Sequence, residues 1–90
     1  MKVRVKAFAR FREILGSDLP IEVPDGATMA TVLAALRDRA GDRGTAIFDE
    51  GGALQAHVIL MRNGKRVKRG DLDTLAEGDE IAIFPPVAGG

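Results

Sequence analysis

Polar and apolar residues alternate from the start of the chain. Val3, Val5 and Ala7 fall on one side and Lys2, Arg4 and Lys6 on the other, so residues 2–9 predict a strand with one face in a core. The period then changes. Phe11, Ile14 and Leu15 recur at three- and four-residue spacing, which predicts a helical turn over residues 9–15 that Gly16 ends. Leu19, Ile21 and Val23 return to the two-residue period of a second strand, all three inward. Pro24-Asp25-Gly26 predicts a turn, with Pro fixing φ and Gly permitting φ > 0. Met29, Val32, Leu33 and Leu36 make the apolar stripe of one long helix, with Thr28 as its N-cap and Gly41 at its end. Arg37, Asp38 and Arg39 face water, and Ala30, Ala34 and Ala35 keep the helix slim enough to lie close to a sheet.

Residues 42–55 carry the weakest pattern. Ile47 and Phe48 are expected to anchor a polar excursion there, and Gly51-Gly52 to form a loop. Val58-Ile59-Leu60-Met61 predicts a third strand, Asn63-Gly64 a two-residue hairpin turn, and Arg66-Val67-Lys68 a brief return strand. Leu72 and Leu75 are expected to tuck a turn beneath the sheet, and Glu77-Gly78-Asp79 to lead into the last strand. In that strand Ile81 and Ile83 face the core and Phe84 the opposite side. Two strands, a helix and further strands predict an α+β fold, a mixed sheet of four to five strands with one main helix packed across it. The right-handed crossover rule lets the first and last strands lie parallel at its centre, which is the β-grasp or ubiquitin-like architecture. The expected organisation is a β-grasp domain over residues 1–84 and an extended tail over residues 85–90.

Composition narrows the function classes. Lys plus Arg equals Asp plus Glu at 13 each, so no global field draws the chain to nucleic acid or to a membrane. The basic run Arg62, Lys65, Arg66, Lys68 and Arg69, joined by Lys2, Arg4 and Lys6, has no stacking aromatics beside it. It suits an acidic partner or a guarded sheet edge better. Cysteine is absent, which removes thiolate nucleophiles and thiolate metal sites, and His57 stands alone as the one histidine. Asp71, Asp73, Glu77, Asp79 and Glu80 do not have calcium-loop spacing and read as a solvated loop. With an alternating strand at the start and no apolar run of spanning length, the expected location is the cytoplasm.

The last residues carry the chemistry. Pro85 and Pro86 cannot donate a ladder hydrogen bond, so the sheet stops there and an extended step follows. Val87 and Ala88 are small, and Gly89 and Gly90 have no side chains. Such an end fits a narrow active site and presents the Gly90 α-carboxylate to another protein's chemistry. The competing reading is a frayed terminus of no consequence on a non-covalent β-grasp interaction module.

The opening Val-Arg-Val-Lys-Ala-Phe-Ala-Arg-Phe-Arg-Glu-Ile-Leu-Gly, the Pro-Asp-Gly-Ala-Thr turn, Arg62-Asn63-Gly64, Glu77-Gly78-Asp79-Glu80 and Phe84-Pro85-Pro86-Val87-Ala88-Gly89-Gly90 together resemble the MoaD family. These are the small subunits of molybdopterin synthase and related ubiquitin-like sulfur carriers. Residues 47–54 look more like its archaeal branch, which includes the small archaeal modifier proteins. The resemblance implies a carrier and not an enzyme. A ubiquitin-activating-type enzyme would use ATP to adenylate Gly90, and sulfur transfer would convert it to a thiocarboxylate. That group would serve the large subunit of molybdopterin synthase, or the activated carboxyl would join target lysines. No cofactor would be bound by the chain itself. The same resemblance implies that Phe84 is an exposed partner anchor, with Pro85, Pro86, Val87, Ala88 and Gly89 lying along the partner's groove. Phe8, on the outward side of the first strand, can join Phe84 in one apolar patch, the alternative for both being core packing.

Overall fold

The computed structural model describes residues 1–68 and 70–85. Its elements in order are β1 (Lys2–Ala7), α1 (Arg10–Leu15), β2 (Asp18–Glu22), α2 (Met29–Ala40), a 3₁₀ helix (Gly41–Ala46), β3 (Ile59–Arg62), β4 (Lys65–Arg66) and β5 (Glu80–Phe84). The five strands form one mixed sheet in the order β2-β1-β5-β3-β4. β1 and β5 run parallel, with Arg4 opposite Glu80 and Ala7 opposite Ile83. β5 and β3 run antiparallel, with Leu60 opposite Ile83 and Ile59 opposite Phe84. The last strand therefore lies at the centre, bonded on both sides.

One face of the sheet carries the core. Val3, Val5, Ala7, Leu19, Leu60, Ile81 and Ile83 are buried from the strands, against Met29, Val32 and Leu36 of α2 and Phe11 and Leu15 of α1. Each Val, Leu, Ile, Phe or Met side chain among these, fully buried, contributes about 1.5–3 kcal/mol over leaving it in water. Ile47 and Phe48 are buried as expected and fasten the 3₁₀ segment, whose carbonyl at Gly44 accepts from both their backbone N–H groups. Asn63 and Gly64 both adopt positive φ, 51° and 82°, the twist that a two-residue hairpin needs.

Several expectations fail, and the return strand expected over Arg66-Val67-Lys68 is instead Lys65–Arg66. Leu72 is 80 % exposed. Asp71 N–H bonds to the Lys68 carbonyl and Asp73 N–H to Asp71 Oδ1, a local turn that holds Leu72 outward, and only Leu75 reaches the core. Thr28 stands at the N-cap position of α2, yet its side chain makes no capping hydrogen bond. Its backbone instead bridges to Thr74, and Leu75 N–H bonds to the Ala27 carbonyl, so the start of the helix is occupied by the loop that precedes β5. Ile21, on the edge strand β2, is only partly buried, whereas Leu19 and Val23 on either side of it are buried. Among the described residues no helix is long and apolar enough to cross a membrane.

Candidate functional site

The site is built around β5, because that strand leads into the chain's glycine end. At its start Asp79 is buried, which alone would push its carboxyl up. The Ala76 N–H at 2.8 Å, the Asn63 amide at 2.9 Å and the Arg62 guanidinium at 2.7–2.9 Å together outweigh burial and hold it below the usual carboxylate range. Asn63 also accepts from Glu80 N–H at 2.9 Å and donates its own N–H to the Glu80 carbonyl at 2.8 Å. The hairpin turn is thus clamped onto the first residue of β5. Asp79 is not one more solvated acid, because the turn supplies donors that let its carboxylate be buried. Its signal in the sequence was an acid beside the strand that the Arg-Asn-Gly turn must meet.

The other end of β5 is apolar. Phe84 stacks on Phe8 with ring centroids 4.4 Å apart and an interplanar angle of 6°. Phe8 N–H bonds to the Ile83 carbonyl at 3.3 Å, so the parallel ladder extends one residue past β1 and fixes the two rings side by side. Phe8 is 40 % exposed and Phe84 half-buried. The pair therefore lies on the outer face, as the strand parity predicts. Immediately after Phe8 the chain reverses into α1 through Ala9 at φ 53° and ψ −134°, a conformation costly for a residue with a Cβ. Nothing in the residue type announced that strain.

Around the rings the outer face divides. Ile59, Met61 and Ala82 share the side of Phe84 by register and continue it as an apolar strip across β5 and β3. The unbroken apolar run at residues 58–61 was the sequence signal for it, since a strand with no polar side has two faces to cover. Across β1 and β2 the same face is ionic. Arg4 pairs with Asp18 at 2.8 Å and Lys6 with Glu80 at 2.7 Å, and hydrogen bonding with those carboxylates, then their charge, raises the pKa of both cations. His57 is exposed on the turn before β3. Pro85 is half-buried beside Phe84, whereas Pro86, Val87, Ala88, Gly89 and Gly90, and with them the extended-tail expectation, lie outside the described residues.

This geometry has counterparts in known proteins. Small archaeal modifier protein 3 of Haloferax volcanii is 37% identical, the alignment covering 100% of both chains. The molybdopterin synthase sulfur carrier subunit of Chlamydomonas reinhardtii is 30% identical, again over 100% of both. The crystal structure of small archaeal modifier protein 1 from Haloferax volcanii superposes with a TM-score of 0.86 at 34% identity, covering 100% of each chain. Residues 5–90, which take in β5, both phenylalanines and the glycine end, match the ThiS family throughout, and the protein belongs to that family.

Proposed function

We propose that this protein is a ubiquitin-like sulfur carrier and modifier whose working group is the Gly90 carboxylate. The observation that carries the reading is the mounting of β5, central in the sheet and clamped at its start, with Phe84-Pro85 emerging beside an exposed aromatic pair. The names of its full-length relatives support the same reading. In this scheme residues 1–84 are the rigid body and residues 85–90 the arm. Six residues beyond Phe84 span at most about 20 Å, enough to reach into a partner's cleft while the body docks outside.

The chain supplies placement and the partner supplies catalysis. A carboxylate is a poor electrophile, so a ubiquitin-activating-type enzyme joins it to the α-phosphate of ATP and releases pyrophosphate. A sulfur nucleophile then displaces AMP to leave the thiocarboxylate, or a lysine amine displaces AMP to leave an isopeptide bond. Phe8 and Phe84 act as the docking platform for the activating enzyme and for a molybdopterin synthase large subunit. Pro85 and Pro86 limit the arm's freedom, and Gly89 and Gly90 let it pass a narrow channel. Holding the reacting end in that channel makes the transfer effectively unimolecular. The chain itself is non-catalytic and acts in the cytoplasm.

The test incubates the full chain with its activating enzyme, ATP and a sulfur source, and weighs the product. The expected result is a gain of one oxygen-to-sulfur exchange at Gly90, lost when Gly90 is deleted. A mass gain that survives the deletion overturns the assignment.

A further inference from the structure

Opposite the aromatic pair, on the core side of the sheet, an open groove of about 740 Å³ runs between α2 and the β4 edge. Met29 and Leu33 of α2 form one wall, and Val58, Leu60 and Val67 form the other. Leu72, turned outward by its local hydrogen bonds, stands at the mouth. A groove of this size and lining is of the kind that takes apolar groups.

Two further observations say what kind. β4 is the last strand of the sheet, and its outer side is unpaired among the described residues. Val67 N–H bonds to the Leu60 carbonyl at 2.9 Å, and bonding alternates along an antiparallel pair. Arg66, opposite Met61, therefore turns its own N–H and C=O away from β3 and toward solvent. The margin is also basic. Arg66 and Lys68 line it, Lys65 adjoins it, and all three are exposed and without an ion pair among the described residues. Asp71 is the acid on that margin, and its Oδ1 is already engaged by Asp73 N–H.

We propose that the groove and the β4 edge form a second docking site, which takes an extended segment of a partner protein carrying acidic residues beside apolar ones. The segment adds as a strand against Arg66, drops alternate apolar side chains between α2 and β3, and sets its acids against Lys65, Arg66 and Lys68. Leu72 then folds over the occupant. A basic edge repels basic strands and admits acidic ones, so the same charges confer selectivity. A second copy of this chain fits less well. The Asp71-Leu72-Asp73 stretch of such a copy is a turn with one apolar side chain, and its extended edge strand β2 already commits Leu19 to its own core and Asp18 to Arg4.

The proposal goes beyond the carrier chemistry and is independent of Gly90. Its probe is a synthetic eight-residue peptide with a Val-Ile-Leu-Val centre and two glutamates at each end, titrated into the isotope-labelled full chain by NMR. Saturable sub-millimolar binding is expected, with amide shifts at Leu33, Leu60, Arg66 and Val67. Affinity should fall at least about tenfold in the Arg66→Glu, Lys68→Glu double variant, in Leu72→Asp, and for a peptide with lysines in place of glutamates. Deleting Gly90 should leave it unchanged, so failure of the carrier assignment and failure of this one are separable. The absence of binding in the folded chain, shifts confined to Phe8 and Phe84, or equal binding of the lysine peptide each overturn it. So do concentration-dependent shifts at the groove without peptide, which would give the site to a second copy.

Discussion

Where β5 begins, a buried carboxylate receives directional hydrogen bonds from a turn, a guanidinium and a backbone amide. Where it ends, two stacked rings hold it with part of their surface open to solvent. The first kind of contact depends on all its partners together, because removing a donor leaves the Asp79 carboxylate buried with fewer hydrogen bonds. The second kind has no preferred partner, and an incoming apolar surface can share it without breaking anything. One end of the strand is therefore held by directional bonds and the other by an aromatic contact left partly open.

The sharpest way to break that contrast is Asp79→Ala. It should cost about 1–3 kcal/mol of unfolding free energy, read by denaturant titration, because Arg62 and Asn63 lose the acceptor that ties the turn to β5. Thiocarboxylation of the fraction that stays folded should be unchanged. The wild-type pH dependence follows from the same group. Since the folded state holds Asp79 below its ordinary value, its stabilisation is fully present above the unfolded carboxylate range, near about 4, and is lost as pH falls through the lower folded value. Asp79→Asn should flatten the acid limb of the stability profile.

Phe84→Ala should reverse the balance. A half-buried ring is worth only about 1–2 kcal/mol to the fold, but its loss should weaken docking to the activating enzyme at least about tenfold, measured by titration calorimetry. Phe8→Ala should cost less than about 1 kcal/mol in stability and still weaken the same docking. Ala9→Gly is the smallest change and goes the other way. Relief of the positive-φ strain should slightly exceed the added chain entropy, raising stability by up to about 1 kcal/mol in thermal denaturation.

Much of this was legible in the chain. The alternation at Val3, Val5 and Ala7, the stripe from Met29 to Leu36 and the Asn63-Gly64 turn are local patterns, and each stands where its period put it. The parity of Phe84 against Ile81 and Ile83 carries the Phe8 contact as well, given that β1 and β5 are parallel neighbours. What escaped depended on distant partners. Leu72 looked like core because it is leucine, and only the bonds of its loop turn it outward. Asp79 looked solvated because its donors come from residues 62, 63 and 76, which no spacing rule brings together. Thr28 is well suited to capping, yet its backbone is claimed by Thr74 across a long separation.

The pairing of residues 4–7 with residues 80–83 also bears on how the molecule is made. A nascent chain has its first strand waiting, unmatched on one side, until the last one leaves the ribosome. Non-local pairing of this kind is slow to form and cannot be anticipated by shorter intermediates. A chain cut short anywhere before β5 therefore lacks the central strand of its sheet. The sheet thus closes only when synthesis is almost complete.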